Sequence, residues 1–186
     1  GRVLAGTLTD GRLDVTDIHR FKHEARRRQD GTLTWDVATM EAETIIGLKK
    51  ALEQFPDARS VSIDTWGVDW APLDENGELV GDVIAYRDER TSRTLDAFRE
   101  RIGDREFFDL TGNQPATINT ANQLFAYLQE NPADAQRVAG VLFLPDYFVY
   151  RLTGAVGWSR TIASTSGLLT PGGGDFNDEV FARLDI

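Results

Sequence analysis

Asp10-Gly11 separates two runs with strand patterning, residues 3–8 and 13–21, and that dipeptide is a hairpin turn signal. A chain that opens on a hairpin and continues as alternating helix and strand signals points to an α/β fold. Asp36 can cap a helix whose apolar residues, Val37, Met40, Ile45, Leu48, Leu52 and Phe55, come close to helical spacing. Pro56-Asp57 ends it. Residues 60–64 set Val61 and Ile63 against polar neighbours, which predicts a strand. Residues 70–73 predict another, leading into the turn Asp74-Glu75-Asn76-Gly77.

The second half alternates in the same way. Leu95, Phe98 and Ile102 predict a helix over residues 91–102, stopped by Gly103. A short helical piece at 105–110 ends at Thr111-Gly112. A third helix carries Ala121, Leu124, Phe125 and Leu128 and stops before Pro132. The unbroken apolar run 141–144 predicts a strand buried on both faces. Pro145 can open the helical turn that follows, and Gly154 closes it. Residues 177–184 predict a short last helix. This order implies a sheet with at least one parallel portion.

Composition removes several function classes. The net charge of −10 repels nucleic-acid phosphates and anionic lipid surfaces. Arg26-Arg27-Arg28 is the one basic run and reads as a solvated loop. With no cysteine there is no disulfide and no thiolate metal site, in keeping with a reducing cytosol. No run is long and apolar enough to cross a membrane. The two histidines, His19 and His23, fall on an exposed strand and its exit, where four-residue spacing does not converge on a metal. No Walker-type phosphate loop is present, and Gly172-Gly173-Gly174 follows Pro171 as an ordinary loop. The chain begins Gly1-Arg2-Val3-Leu4 and ends Leu184-Asp185-Ile186, so it is expected to be part of a longer protein.

Polar chemistry gathers at four places. In residues 63–70 a strand runs into Asp64, Trp66, Gly67, Asp69 and Trp70, and ligands of open α/β sheets bind at strand carboxyl ends. Glycine admits a ligand close to the backbone, an indole packs on a sugar ring, and carboxylates accept hydroxyl hydrogen bonds. The same residues also read as a β-turn with core tryptophans. Residues 85–91 are a charged start to a helix. Residues 119–123 offer amides that read hydroxyls, or a helix N-cap at Asn119 or Thr120. Residues 144–154 read as a strand, a Pro-opened helix and a Gly stop.

In this order, residues 63–70 (I-D-T-W-G-V-D-W), 85–91 (A-Y-R-D-E-R-T), 119–124 (N-T-A-N-Q-L) and 145–154 (P-D-Y-F-V-Y-R-L-T-G) resemble the FGGY carbohydrate kinases. They are most similar to the branch that phosphorylates L-rhamnulose with ATP and magnesium. Residues 17–21 and 34–37 match that branch too. D-T-W-G-V-D is the specific part, whereas P-D-Y-x-x-Y-x-L-T-G is shared more widely. The broad family carries Lys and then Trp on the third helix, where this chain has Gln123 and Ala126. That departure disfavours a glycerol or xylulose type.

The resemblance implies an actin-like, RNase H-like ATPase-type domain, α/β, with a mixed sheet flanked by helices. Residues 1–186 would be the N-terminal, sugar-binding domain, lacking the first strand and its phosphate turn, with the C-terminal ATP-binding domain outside the chain. Gly67 would contact the sugar and Trp66 line its pocket, with Asp69, Asn119 and Gln123 as further candidates. Gly1 and Arg2 would remain from the nucleotide turn. The catalytic aspartate would lie beyond Ile186, leaving no catalytic residue and no metal ligand here.

The implied activity is ATP-dependent phosphorylation of a ketose 1-hydroxyl, L-rhamnulose first, in rhamnose catabolism. The implied cofactors are ATP and Mg2+, and the implied location is cytoplasmic. The partners would be the sugar, ATP and the C-terminal domain, with no nucleic acid or membrane. The domain alone is expected to be inactive. A kinase for another ketose or polyol, or a non-catalytic sugar-binding module, is the alternative.

Overall fold

The computed structural model describes residues 1–186. The chain divides into two compact units, residues 1–26 with 35–62, and residues 27–34 with 63–186.

The first unit is a hairpin and a helix. Strands β1 (Arg2–Thr9) and β2 (Arg12–Arg20) pair antiparallel, with Leu8 opposite Leu13. Asp10 and Gly11 both have positive φ, the conformation a two-residue hairpin turn requires. Helix α1 (Val37–Gln54) packs on this hairpin. A Cβ added at Gly47, in the helix interior, would lie 2.4 Å from Val3 Cγ2, so only glycine permits that approach. His19 Nε2 meets Glu43 at 2.6 Å and His19 Nδ1 meets Lys50, so this histidine is tied to α1.

Asp36 caps α1 as the sequence predicts. Its carboxylate accepts from Thr39 N at 3.1 Å and from the Thr39 hydroxyl at 2.6 Å, and it pairs with Arg26. These contacts, the Thr39 hydroxyl foremost, hold its pKa below the ordinary 3.8. A depressed carboxylate pKa stabilises the fold above the unfolded value, and the stabilisation is lost as pH falls through the folded one. Asp36→Ala is therefore expected to cost about 1 kcal/mol near neutral pH. Urea unfolding of both proteins should show that gap narrowing below the ordinary carboxylate pKa. A gap that is constant with pH would refute the cap's ionic character.

Residues 60–64 do not form the expected strand. No ladder pairs them, and Val61 is 58% exposed. Alternation supplies a face, but a strand also needs a neighbour to take its N–H and C=O groups.

The 27–34 excursion is bounded by β3 (Arg26–Arg27) and β4 (Leu33–Trp35), which line up with β6 (Val83–Ile84) in the order β3-β4-β6. The basic triplet thus starts in a short strand and continues into a turn closed by Gly31 N on Arg28 O. Its arginine side chains stay exposed, Arg26 pairing with Asp36, Arg28 with Asp82, and Arg27 donating to Gly31 O. Strand β5 (Trp70–Leu73) pairs antiparallel with β7 (Gly140–Phe143), Trp70 opposite Phe143. The two registers given by β1–β2 and β5–β7 contain no parallel pairing. Strand β7 is buried only at Leu142 and Phe143, because β5 is its single neighbour and Gly140 and Val141 stay open.

Helices fill the rest of the second unit. The helix predicted over 91–102 is two, α2 (Arg90–Arg93) and α3 (Leu95–Arg101). They part at Thr94, whose φ of −100° and ψ of 1° leave the helical range although its N–H still bonds to Arg90 O. Then come α4 (Asp104–Thr111), α5 (Thr120–Glu130), the single turn α6 (Pro132–Ala135), α7 (Leu144–Thr153), the single turn α8 (Arg160–Ala163) and α9 (Asp178–Leu184). Asn177 caps α9 through its side chain. Gly172 and Gly173 lie in a turn closed by the Leu169–Phe176 bridge, the loop expected. The core joins Trp70, Phe98, Ile102, Phe107, Leu124, Phe125, Leu168 and Val180. No helix is long and apolar enough to cross a membrane.

Candidate functional site

The polar loop that leads into β5 is tethered through three successive carbonyls. Gly67 O accepts from the Thr165 hydroxyl at 2.5 Å. Val68 O accepts from the Thr120 hydroxyl at 2.8 Å and from Gln123 Nε2 at 3.0 Å, which uses both its lone pairs. Asp69 O accepts from Leu144 N at 2.9 Å. The loop is thus fixed to the turn after α8, to the first turns of α5 and to the start of α7. Trp66 and Gly67 remain partly exposed above these ties.

Five of the predicted residues, Trp66, Gly67, Asp69, Asn119 and Gln123, fall in this one assembly. Asp69 is fully buried, and its Oδ1 accepts from Tyr86 N at 2.7 Å. Gln123 is fully buried too. Its Nε2 also donates to Ile118 O, and its Oε1 accepts from Arg90 at 2.8 Å. Asn119 stands at the N-cap position of α5, but its side chain serves the neighbouring loops. Its Oδ1 accepts from Ala116 N at 2.7 Å, and its Nδ2 donates to Thr165 O at 3.2 Å. Gly1 and Arg2 belong to the first unit, where Gly1 N donates to Phe21 O. Asp64 is exposed while Asp69 is buried, so the two carboxylates do not face each other as an acid–base pair.

Behind the loop sits a buried cation. Arg90 is 2% exposed, donates to Ala85 O at 3.2 Å and to Gln123, and lies 3.8 Å from Asp88. Burial lowers its pKa to about 10, while Asp88 and Asp69 oppose the shift, so it stays charged at neutral pH. Asp88 in turn accepts from Leu33 N and Arg90 N. The expected charged helix start is therefore a buried network behind the loop, with Arg87 left outside against the Tyr86 ring.

The sequence offers Thr120 only as a helix cap and Arg90 only within a charged helix start, and it gives no signal for Thr165. The run T-I-A-S-T-S-G around Thr165 carries no motif, and Thr165 reaches Gly67 across 98 residues. Two concavities, of about 230 Å³ between Arg27 and Arg93 and about 490 Å³ beside Gly112 and Arg160, include neither Trp66 nor Gly67 in their linings. No group of three or more His, Cys, Asp or Glu residues is placed to hold a metal.

A profile of the FGGY family of carbohydrate kinases, N-terminal domain, matches residues 6–186. Solved structures share the fold. A xylulose kinase from Rhodospirillum rubrum is 20% identical with a TM-score of 0.73, over 94% of this chain and 36% of that one. A xyloylose kinase from Brucella ovis is 18% identical with a TM-score of 0.80, over 100% and 38%. A glycerol kinase from Plasmodium falciparum, solved with ADP, is 14% identical with a TM-score of 0.72, over 94% and 36%. The chain spans little more than a third of these structures, and its fold is the actin-like ATPase type with mixed sheets flanked by helices.

Proposed function

The chain belongs to the FGGY family of carbohydrate kinases as its N-terminal domain, and on that footing we propose that it holds a ketose, L-rhamnulose first, for phosphorylation at O1 by ATP. The observation that carries the site is the loop tethered through the carbonyls of Gly67, Val68 and Asp69. It leaves Trp66 and Gly67 partly exposed, and in this reading they offer an indole to a sugar face and a backbone without a Cβ beside it. Asp69, Asn119 and Gln123 act from behind, holding that surface in register. Rigid support of this kind is what a positioning site needs, because phosphoryl transfer depends on in-line alignment more than on covalent chemistry from the protein.

The sugar identity rests on D-T-W-G-V-D and on Gln123 and Ala126. A second domain beyond Ile186 would bring ATP with its magnesium and the carboxylate that takes the sugar proton, with Gly1 and Arg2 at the edge of the nucleotide turn that precedes them. In this reading magnesium would arrive with the nucleotide. Trp66 and Gly67 would form one wall of a cleft that closes over the sugar and excludes water. A cytoplasmic enzyme of rhamnose catabolism fits this chemistry.

The test is ADP release by the full-length protein with L-rhamnulose, L-fuculose, L-ribulose, D-xylulose and glycerol, alone and as Gly67→Trp. A Cβ at Gly67 meets only Thr165 Oγ1, at 3.5 Å, so the fold has room there and a large side chain would fill the ligand's space. Preference for L-rhamnulose, with kcat/KM at least tenfold lower in Gly67→Trp, is expected. Preference for another sugar would discard the rhamnulose claim and keep the kinase. Inactivity on all five would favour a binding module.

A further inference from the structure

We propose that Thr165 contacts the substrate: its hydroxyl oxygen accepts a hydrogen bond from a sugar hydroxyl lying over Gly67. The inference rests on the sugar site proposed at Trp66 and Gly67, and it adds a residue and a direction of hydrogen bonding.

The geometry is specific. A methyl group placed on Gly67 would lie 3.5 Å from Thr165 Oγ1. Any ligand atom occupying the space that Gly67 leaves empty is therefore at or near hydrogen-bond distance of that oxygen. Thr165 is an exposed residue. Its backbone is held at both ends, with N–H donated to Ile162 O at 3.1 Å and C=O accepting from Asn119 Nδ2 at 3.2 Å. A β-branched side chain on such a backbone has little rotamer freedom, so the hydroxyl is pre-set.

The hydrogen count fixes which way the ligand bond runs. A threonine hydroxyl has one hydrogen and two lone pairs. The hydrogen is directed to protein carbonyls, Gly67 O at 2.5 Å or Ile162 O at 2.9 Å. One hydrogen shared between two carbonyls leaves a lone pair directed away from both, and no donor of the chain bonds to it. The oxygen therefore takes a donor from the ligand and offers none to a carbonyl or ether oxygen. Polyhydroxylated ligands supply such donors on every carbon. Asn119 gains a reason to be where it is, since it orients the turn that carries this acceptor.

The test uses the full-length kinase and the ketose it turns over fastest among the five above. Thr165→Val keeps the shape and removes the acceptor together with the tie to Gly67 O. It is expected to raise KM for the sugar by about tenfold or more, with KM for ATP unchanged. Thr165→Ser should restore KM to within threefold. Among monodeoxy analogues of that ketose, one should react equally well with wild type and Thr165→Val, because the partner hydroxyl is already missing. If Thr165→Val leaves the sugar KM unchanged while Gly67→Trp raises it, the Thr165 contact is wrong and the site stands. A loss shared equally by every analogue would also overturn it. If Gly67→Trp itself leaves the sugar KM unchanged, the underlying site is what fails.

Discussion

Arg90→Ala is expected to lower the free energy of unfolding by about 3–5 kcal/mol, measured by urea denaturation at neutral pH. Arg90 is the largest fully buried side chain in the protein, and its guanidinium faces Gln123, Ala85 O and the Asp88 carboxylate. Removing it leaves Asp88, itself buried, without its cation, and takes the counter-charge away from Asp69. A buried carboxylate stripped of its partner costs far more than the pair contributes while intact. Gln123 Oε1 also loses its donor, and Gln123 is one of the two groups that hold Val68 O. Arg90→Met separates charge from volume, since it fills most of the space. A comparable loss in Arg90→Met would assign the effect to charge. A loss below about 1 kcal/mol in both variants would show that the network does not support the fold.

Phe98→Ala is the second large effect, about 3–5 kcal/mol. Phe98 is 1% exposed and meets Phe107 and Phe125 edge to face, at centroid separations of 5.6 and 5.7 Å. Each such contact adds about 0.5–1.5 kcal/mol beyond area burial. Three elements, α3, α4 and α5, meet at this ring, so their backbones would all have to move to close the gap. Phe98→Leu keeps most of the volume and should cost less than about 1.5 kcal/mol. Equal losses in the two variants would mean that ring geometry, not the cavity, sets the cost. A small loss in both would mean that the cluster collapses into the space.

Elements announced by their own residues were legible in the sequence. The hairpin at Asp10-Gly11, the Asp36-capped α1, α5 and the Pro145-opened α7 each carry a local signal that tertiary contacts reinforce. Features that depend on distant partners were not. Residues 60–64 alternate correctly and still form no strand, because pairing is a property of the neighbour as well. The break at Thr94 lies in the dihedrals of one residue, which the spacing of apolar side chains does not encode. At the site, the sequence located Trp66, Gly67, Asp69, Asn119 and Gln123 in separate segments. It left open whether the polar groups face a ligand or the protein. The side chains of Asp69 and Gln123 are buried, while Trp66 and Gly67 are partly exposed. Thr165 had no sequence signal, since its importance comes only from a partner 98 residues away.

The 27–34 excursion has a consequence for synthesis and dissection. Its strand β4 closes on residues that come much later, Leu33 O on Ala85 N and Leu33 N on Asp88, the latter 55 residues downstream. At a ribosomal rate of about 5–20 residues per second, Leu33 waits roughly 3–11 s for Asp88 to be made. Meanwhile the hairpin and α1, whose contacts are local, can already assemble around the gap. The first compact body can thus form with a loop deliberately left idle, and the second is complete only when it takes that loop up. No single cut of the chain yields both bodies whole, because a cut before Ile63 leaves the borrowed segment with the wrong piece.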